Sequence, residues 1–111
     1  MFGRRKKTDR NEFNRNKQLL TAFDRMEHFI MQEKSNEEMM KLCDTILSGK
    51  PVLANFDKLS AADSNFMLAF ISGVVYACDG ETLKVGNKLY LFARKEEYED
   101  GSLKQYVEDI K

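Results

Sequence analysis

The sequence has little of the material from which catalytic and metal sites are usually built. It contains a single histidine, His28, and two cysteines, Cys43 and Cys78, which are far apart. Such a set suits neither a zinc site nor a disulfide framework, and is typical of reduced thiols in a cytosolic protein. The glycines occur singly, so no glycine-rich phosphate loop is predicted. We therefore predict that the protein is not an enzyme and has no catalytic residue, cofactor or metal.

Long apolar runs are also missing. No stretch approaches the roughly 20 residues that a membrane-spanning helix needs. The basic start, MFGRRKK, is not followed by the apolar segment of a signal peptide. We expect a soluble cytoplasmic protein, and leave open a peripheral association with the inner face of the membrane.

The charge is balanced overall but unevenly placed along the 111 residues. Residues 1–25 hold eight Lys/Arg against three Asp/Glu, a net charge of +5, so the remainder carries −5. We interpret residues 1–25 as a basic N-terminal arm, disordered or amphipathic, whose simplest role is a lead-in that docks on the core or frays. Contact with anionic lipid and contact with nucleic acid are the functional alternatives for this arm.

Two capping boxes predict two helices. Ser35 stands three residues before Glu38, and Ser60 three before Asp63. We expect the first helix to end at Gly49 and the second to run from about residue 61 to 72. The first helix is predicted to bury one apolar stripe, which consists of Met39, Leu42, Cys43, Ile46 and Leu47. Strands are predicted before each helix, over residues 28–31 and 52–56.

The second predicted helix is apolar on all sides between Phe66 and Ile71. A helix of this kind is buried all round. It is either the central helix of the core or a helix that contacts the sheet on one side and a second subunit on the other. We favour the second interpretation, with Phe66, Phe70 and Ile71 at a dimer interface.

Three short strands are predicted after Gly73, over residues 74–78, 82–85 and 88–93, with turns at Asp79–Gly80 and Gly86–Asn87. Alternation in the last strand places Tyr90 and Phe92 on one face, where we expect a partner to reach them.

The remaining residues, 94–111, are predicted to form a charged loop and an amphipathic helix. The apolar stripe of this helix consists of Leu103, Tyr106, Val107 and Ile110. We expect the stripe to dock on the sheet of its own chain, with contact to a second molecule as the alternative. The loop contains four carboxylates, namely Glu96, Glu97, Glu99 and Asp100. We interpret them as solvated surface, with a weak divalent-ion site as the alternative.

The predicted order is β-α-β-α-β-β-β, an α/β two-layer sandwich with two main helices on a single sheet, followed by a C-terminal helix. We divide the chain into the arm (1–25), a core domain (26–93) and a C-terminal segment (94–111).

Several segments together resemble the SepF family of cell-division proteins. They are FISGVVYA at 70–77, LKVG at 83–86, LYLF at 89–92 and the upstream GKPVLANFDKL at 49–59. The resemblance covers about residues 26–93, and its signal is the combined order of these segments. It implies a dimeric α/β sandwich, in agreement with the order derived above.

The resemblance also implies a function, namely binding of the C-terminal tail of the tubulin-like protein FtsZ. Family members tether the ring of FtsZ filaments to the membrane through an N-terminal helix, and can assemble into polymers. By motif match the tail-binding residues are Lys84 and Tyr90, with Phe92 beside them in the last strand. The residues expected at the membrane are Met1, Phe2, Arg4, Arg5, Lys6 and Lys7. The implied location is the division site. The alternative is a small nucleic-acid-binding module that uses the basic arm, although we expect no nucleic acid as a partner.

Overall fold

Four strands form one mixed sheet in the order β1-β2-β4-β3. In this computed structural model, which describes residues 20–110, the strands are β1 (Glu27–Ile30), β2 (Val52–Asn55), β3 (Glu81–Gly86) and β4 (Leu89–Ala93). β1 is parallel to β2, whereas β4 is antiparallel to both β2 and β3. The predictions for residues 1–19 lie outside the described residues.

The described helices are α1 (Asn36–Leu47), α2 (Ala61–Ala77), α3 (Lys95–Tyr98) and α4 (Ser102–Asp109), with a 3-10 turn at Phe23–Arg25. Both predicted caps are confirmed, because the hydroxyls of Ser35 and Ser60 accept the backbone N–H three residues later, each at 3.1 Å. The stripe predicted for α1 is buried except for Leu47, which is half exposed.

Each face of the sheet carries its own apolar cluster. On the first face, Ala54 and Phe92 lie beneath α1 and α2, together with Met67 and Ile71 of α2. On the second face, Leu53, Leu91 and Ala93 pack against α4 through Leu103 and Val107. The predicted α/β class is therefore confirmed, and the C-terminal helix docks on its own sheet and adds a partial third layer.

The strand predicted at residues 74–78 is wrong, because α2 continues through Gly73 to Ala77. Met67, Ile71 and Val75 continue one buried stripe at intervals of four residues, and this packing outweighs the roughly 1 kcal/mol that glycine costs inside a helix. The helix ends where Asp79 takes a positive φ of 57° and the N–H of Gly80 donates to Val75 O at 2.9 Å. The sheet has four strands for this reason, not five.

The end of α1 is fastened to the C-terminal segment at Gly49. Gly49 has a φ of +99°, and its carbonyl accepts a hydrogen bond from Arg25 Nη1 at 2.6 Å. Arg94 lies against it and forms two hydrogen bonds with the buried Glu97, at 2.8 and 3.0 Å. These bonds raise the pKa of Arg94, so the guanidinium is charged at all accessible pH.

We expect Gly49→Ala to lower the free energy of unfolding by about 2 kcal/mol, since an L residue is strained at this φ. A methyl group here would also approach Arg94 Nη2 to 3.1 Å. Gly101→Ala is the matched control, because Gly101 also has a positive φ, of +81°, but open space around it. Its expected loss is about 1 kcal/mol. Urea denaturation measures both variants. An equal loss of unfolding free energy in Gly49→Ala and Gly101→Ala would contradict crowding by Arg94.

Asp100 joins the two ends of the described chain. Its Oδ1 accepts the N–H and the hydroxyl of Ser102 at 2.9 and 2.8 Å, and its Oδ2 accepts the N–H of Ala22 at 2.9 Å. The hydrogen bond from the Ser102 backbone, followed by that from Ala22, lowers the pKa of this carboxyl. The ionised carboxylate is thus the form that the folded state favours.

Acid is expected to weaken this junction. A carboxyl with a lowered folded-state pKa contributes stability above its unfolded value, about 3.9, and loses it as the pH falls through the folded value. The stability advantage of the wild type over Asp100→Asn should therefore be full at pH 6 and shrink below about pH 4. Urea denaturation across this pH range measures it. Asp57→Asn, at an exposed loop position, is the control. An advantage independent of pH would contradict the assignment.

Candidate functional site

The hairpin of β3 and β4 brings Lys84 and Tyr90 together. The two residues are directly paired in the antiparallel register, so their side chains leave the same face of the sheet about 5 Å apart at Cβ. An irregularity in the register between Lys84 and Gly86 follows this pair. In the described sheet β3 is an edge strand, with β4 as its only neighbour.

Tyr90 is half buried on an aromatic base. Its ring centroid lies 5.5 Å from that of Phe56 and 6.4 Å from that of Phe92, and both of these rings are fully buried. We expected a partner to reach Phe92, but its side chain is fully buried, so that expectation is wrong. The alternation of β4 was predicted correctly, but the face that carries Tyr90 and Phe92 is the one that α1 and α2 cover. Phe92 supports the Tyr90 ring and has no surface of its own.

Lys84 is exposed and has no ion-pair partner within residues 20–110. Nearby Lys88, by contrast, is engaged, because its Nζ donates to Leu59 O at 3.2 Å and its carbonyl accepts the N–H of Phe56 at 2.8 Å. Lys88 also has a φ of +58°, which the sequence did not reveal. The hairpin turn is thereby fixed to the segment before α2, and Lys84 is the cation available beside Tyr90.

A second candidate surface lies on the outer side of α2. Phe66 and Phe70 are 50% and 41% exposed, and Tyr76 is 82% exposed. Small residues, Ala69 and Gly73, lie exposed between them. The all-round apolar composition of this helix therefore divides into an inward stripe and an outward stripe. Ile71 belongs to the inward stripe and is fully buried, so only Phe66 and Phe70 of the predicted interface residues reach the surface.

Lys34 and two apolar residues of α1 are further surface features of the same helical layer. Lys34, just before α1, lies over the Phe66 ring with its Nζ 4.6 Å from the centroid. On α1, Met40 and Leu47 are both about half exposed. Sequence reasoning missed Met40 and Tyr76. The spacing of Met40 and Leu47, seven residues apart, was the signal available for α1, whereas Tyr76 was assigned to a strand.

Two carboxylates of the C-terminal segment are engaged by groups of the same chain. Glu97 is paired with Arg94, and Asp100 accepts backbone N–H groups. Across residues 20–110 no group of three or more His, Cys, Asp or Glu is placed to hold a metal ion. Over the same residues, no helix has the length and apolar character to cross a membrane. The predicted membrane residues, from Met1 to Lys7, lie outside the described part of the chain.

Comparison with known proteins identifies relatives of this fold. The family model described as "Cell division protein SepF" matches residues 29–96, more than half of the chain. Proteins of that name are 28% identical over 78 residues in Caldanaerobacter subterraneus subsp. tengcongensis and 33% identical over 76 residues in Natranaerobius thermophilus. These alignments cover 70% and 68% of this chain, and 58% and 45% of the two relatives. The chain thus spans less than two thirds of their length.

Proposed function

The chain belongs to the SepF family of cell-division proteins, and on that premise we propose that it binds the C-terminal tail of FtsZ. In this proposal it promotes, cross-links or tethers FtsZ filaments at the division site during septum formation, without catalysis. The observation that carries the proposal is the pairing of Lys84, on the edge strand β3, with the half-buried Tyr90 of β4. An acidic and apolar tail requires a cation beside an apolar surface.

The edge position of β3 supports an extended ligand. An edge strand offers unpaired backbone groups, with which a peptide can pair while its alternate side chains meet the sheet. Tyr90 presents a ring whose other side rests on Phe56 and Phe92, so it is preorganised by packing. Phe92, originally predicted as a contact, acts here by holding that ring.

We further propose that two copies associate through the outer surface of α2. At about 200 Å² for each phenylalanine, the exposed parts of Phe66 and Phe70 amount to roughly 180 Å² per protomer, worth roughly 4 kcal/mol. Two protomers supply about twice this, which lies near the middle of the ~4–15 kcal/mol that association costs. Tyr76, 82% exposed on the same helix, adds further apolar surface to this interface.

The basic arm is the segment through which we propose contact with the inner membrane face. Its charge of +5 over residues 1–25 favours anionic lipid. Liposome co-sedimentation of the full chain beside a chain lacking residues 1–17 tests this step. Equal sedimentation of the two chains would contradict it.

Reversal of charge at the hairpin is expected to weaken tail binding. Lys84→Glu should lower the affinity for an FtsZ tail peptide by about tenfold to a hundredfold at low salt, because an acidic ligand would then meet a carboxylate. Titration calorimetry or fluorescence anisotropy measures the change. Lys104→Glu, an exposed charge reversal on α4, is the matched control and should bind like the wild type. Unchanged affinity in Lys84→Glu would overturn the assignment of this site.

Charges on the outer side of α2 are expected to dissociate the dimer. The double variant Phe66→Glu, Phe70→Glu should weaken self-association by about a hundredfold or more, because dimerisation would bury four carboxylates. Sedimentation velocity over a concentration series measures this, and circular dichroism verifies the fold. The control is Ile30→Glu, since Ile30 is an equally exposed apolar residue on β1. A wild-type protein that stays monomeric at high concentration would falsify the dimer.

A further inference from the structure

The root of the basic arm is bound to the C-terminal helix. We define the arm root as residues 20–25 and the arm anchor as Asp100, Ser102 and Tyr106. Ala22 N–H donates to Asp100 Oδ2 at 2.9 Å, and Phe23 N–H donates to the Ser102 hydroxyl at 3.0 Å. Two consecutive backbone amides of the root are thus hydrogen-bonded to the side chains of Asp100 and Ser102.

Apolar contacts reinforce the two hydrogen bonds. The rings of Phe23 and Tyr106 are 5.3 Å apart between centroids. Ala22 is fully buried in the cluster of the second sheet face, with Leu91 and Leu103. The burial of Ala22 shows that the root is part of the fold and not merely adjacent to it.

The arm root has its own local structure. Thr21 and Asp24 hydrogen-bond reciprocally, since Thr21 N–H donates to Asp24 Oδ2 at 3.0 Å and Asp24 N–H donates to the Thr21 hydroxyl at 3.1 Å. This arrangement is a capping box, which closes the 3-10 turn before it meets the anchor.

We propose that the arm anchor is an intramolecular docking site that determines where the basic arm leaves the body of the protein. The root lies on the second face of the sheet, whereas α1 and α2, with Phe66 and Phe70, cover the first face. Residue 20, where the described chain begins, therefore lies on the opposite side of the sheet from the outer surface of α2. The junction between the arm root and the arm anchor does not depend on whether an FtsZ tail is bound.

The partners at this junction lie outside the segment that defines the family. The family match covers residues 29–96, whereas the arm root ends at residue 25 and the anchor begins at residue 100. The exit of the arm is thus set by residues that flank the matched domain on both sides, which come together only in the folded chain.

Amide hydrogen exchange on the full chain tests the junction at the Ala22 and Phe23 amides separately. Ser102→Ala should speed the exchange of the Phe23 amide by about tenfold or more, and Asp100→Ala should do the same for the Ala22 amide. Lys104→Ala is the control, because Lys104 is an exposed residue of the same helix. It should leave both amides protected. Unprotected Ala22 and Phe23 amides in the wild type would overturn the proposal.

The exit direction is tested by distances between spin labels. In a Cys43→Ala, Cys78→Ala background, Leu20→Cys is paired either with Lys104→Cys on α4 or with Lys41→Cys on α1, and diluted with unlabelled protein. The pair 20–104 should give the shorter and narrower distance distribution, and Asp100→Ala should broaden it. A distance for the pair 20–41 that is as short as that for 20–104 would place the root on the wrong face and refute the proposal.

Discussion

Burial of both faces of the two central strands is the constraint on which the rest of the structure depends. In β2, Val52 and Ala54 point to the first face and Leu53 points to the second. In β4, Phe92 points to the first face and Leu91 to the second. Alternate side chains of a strand point to opposite faces, so neither face can be left in water without exposing apolar surface. Two layers of cover are therefore required.

The first layer of cover determines the candidate surfaces. α1 and α2 fill the first face with a narrow buried stripe each, and the remaining apolar residues of α2, Phe66 and Phe70, are left pointing outward. The same layer buries Phe56 and Phe92 beneath Tyr90. Lys84 is exposed beside it because β3 is an outer strand of the described sheet and α2 does not enclose the lysine. One packing arrangement thus explains both the hairpin site and the outer surface of α2.

The second layer of cover is built from the two ends of the described chain. α4 is only eight residues long, and it shares the second face with Ala22 from the arm root. Arg94 and Glu97 add a partly buried, doubly hydrogen-bonded ion pair next to Gly49, so the C-terminal segment is joined to the end of α1 as well. The residues flanking the family domain are therefore part of the fold, and they link the arm to the sheet.

Features governed by neighbours in the chain could be predicted from the sequence. The caps at Ser35 and Ser60, the end of α1 at Gly49 and the alternation of β4 each depend on hydrogen bonds or geometry within a few residues. The pairing of Lys84 with Tyr90 is likewise local, since it follows from the short hairpin between β3 and β4. The expected end of the second helix at Gly73 failed, because side chains distant in sequence pack on Met67, Ile71 and Val75 and carry the helix through the glycine.

The sequence by itself determined which residues share a face, and only the tertiary structure decided which face is inside. Periodicity is the same whether a stripe points to the core or to water, so it could not separate Ile71 from Phe70 or reveal that Phe92 is covered. The same is true of the arm root and its anchor, which are nearly 80 residues apart. Their hydrogen bonds exist because the second sheet face needs cover from both ends of the chain at once.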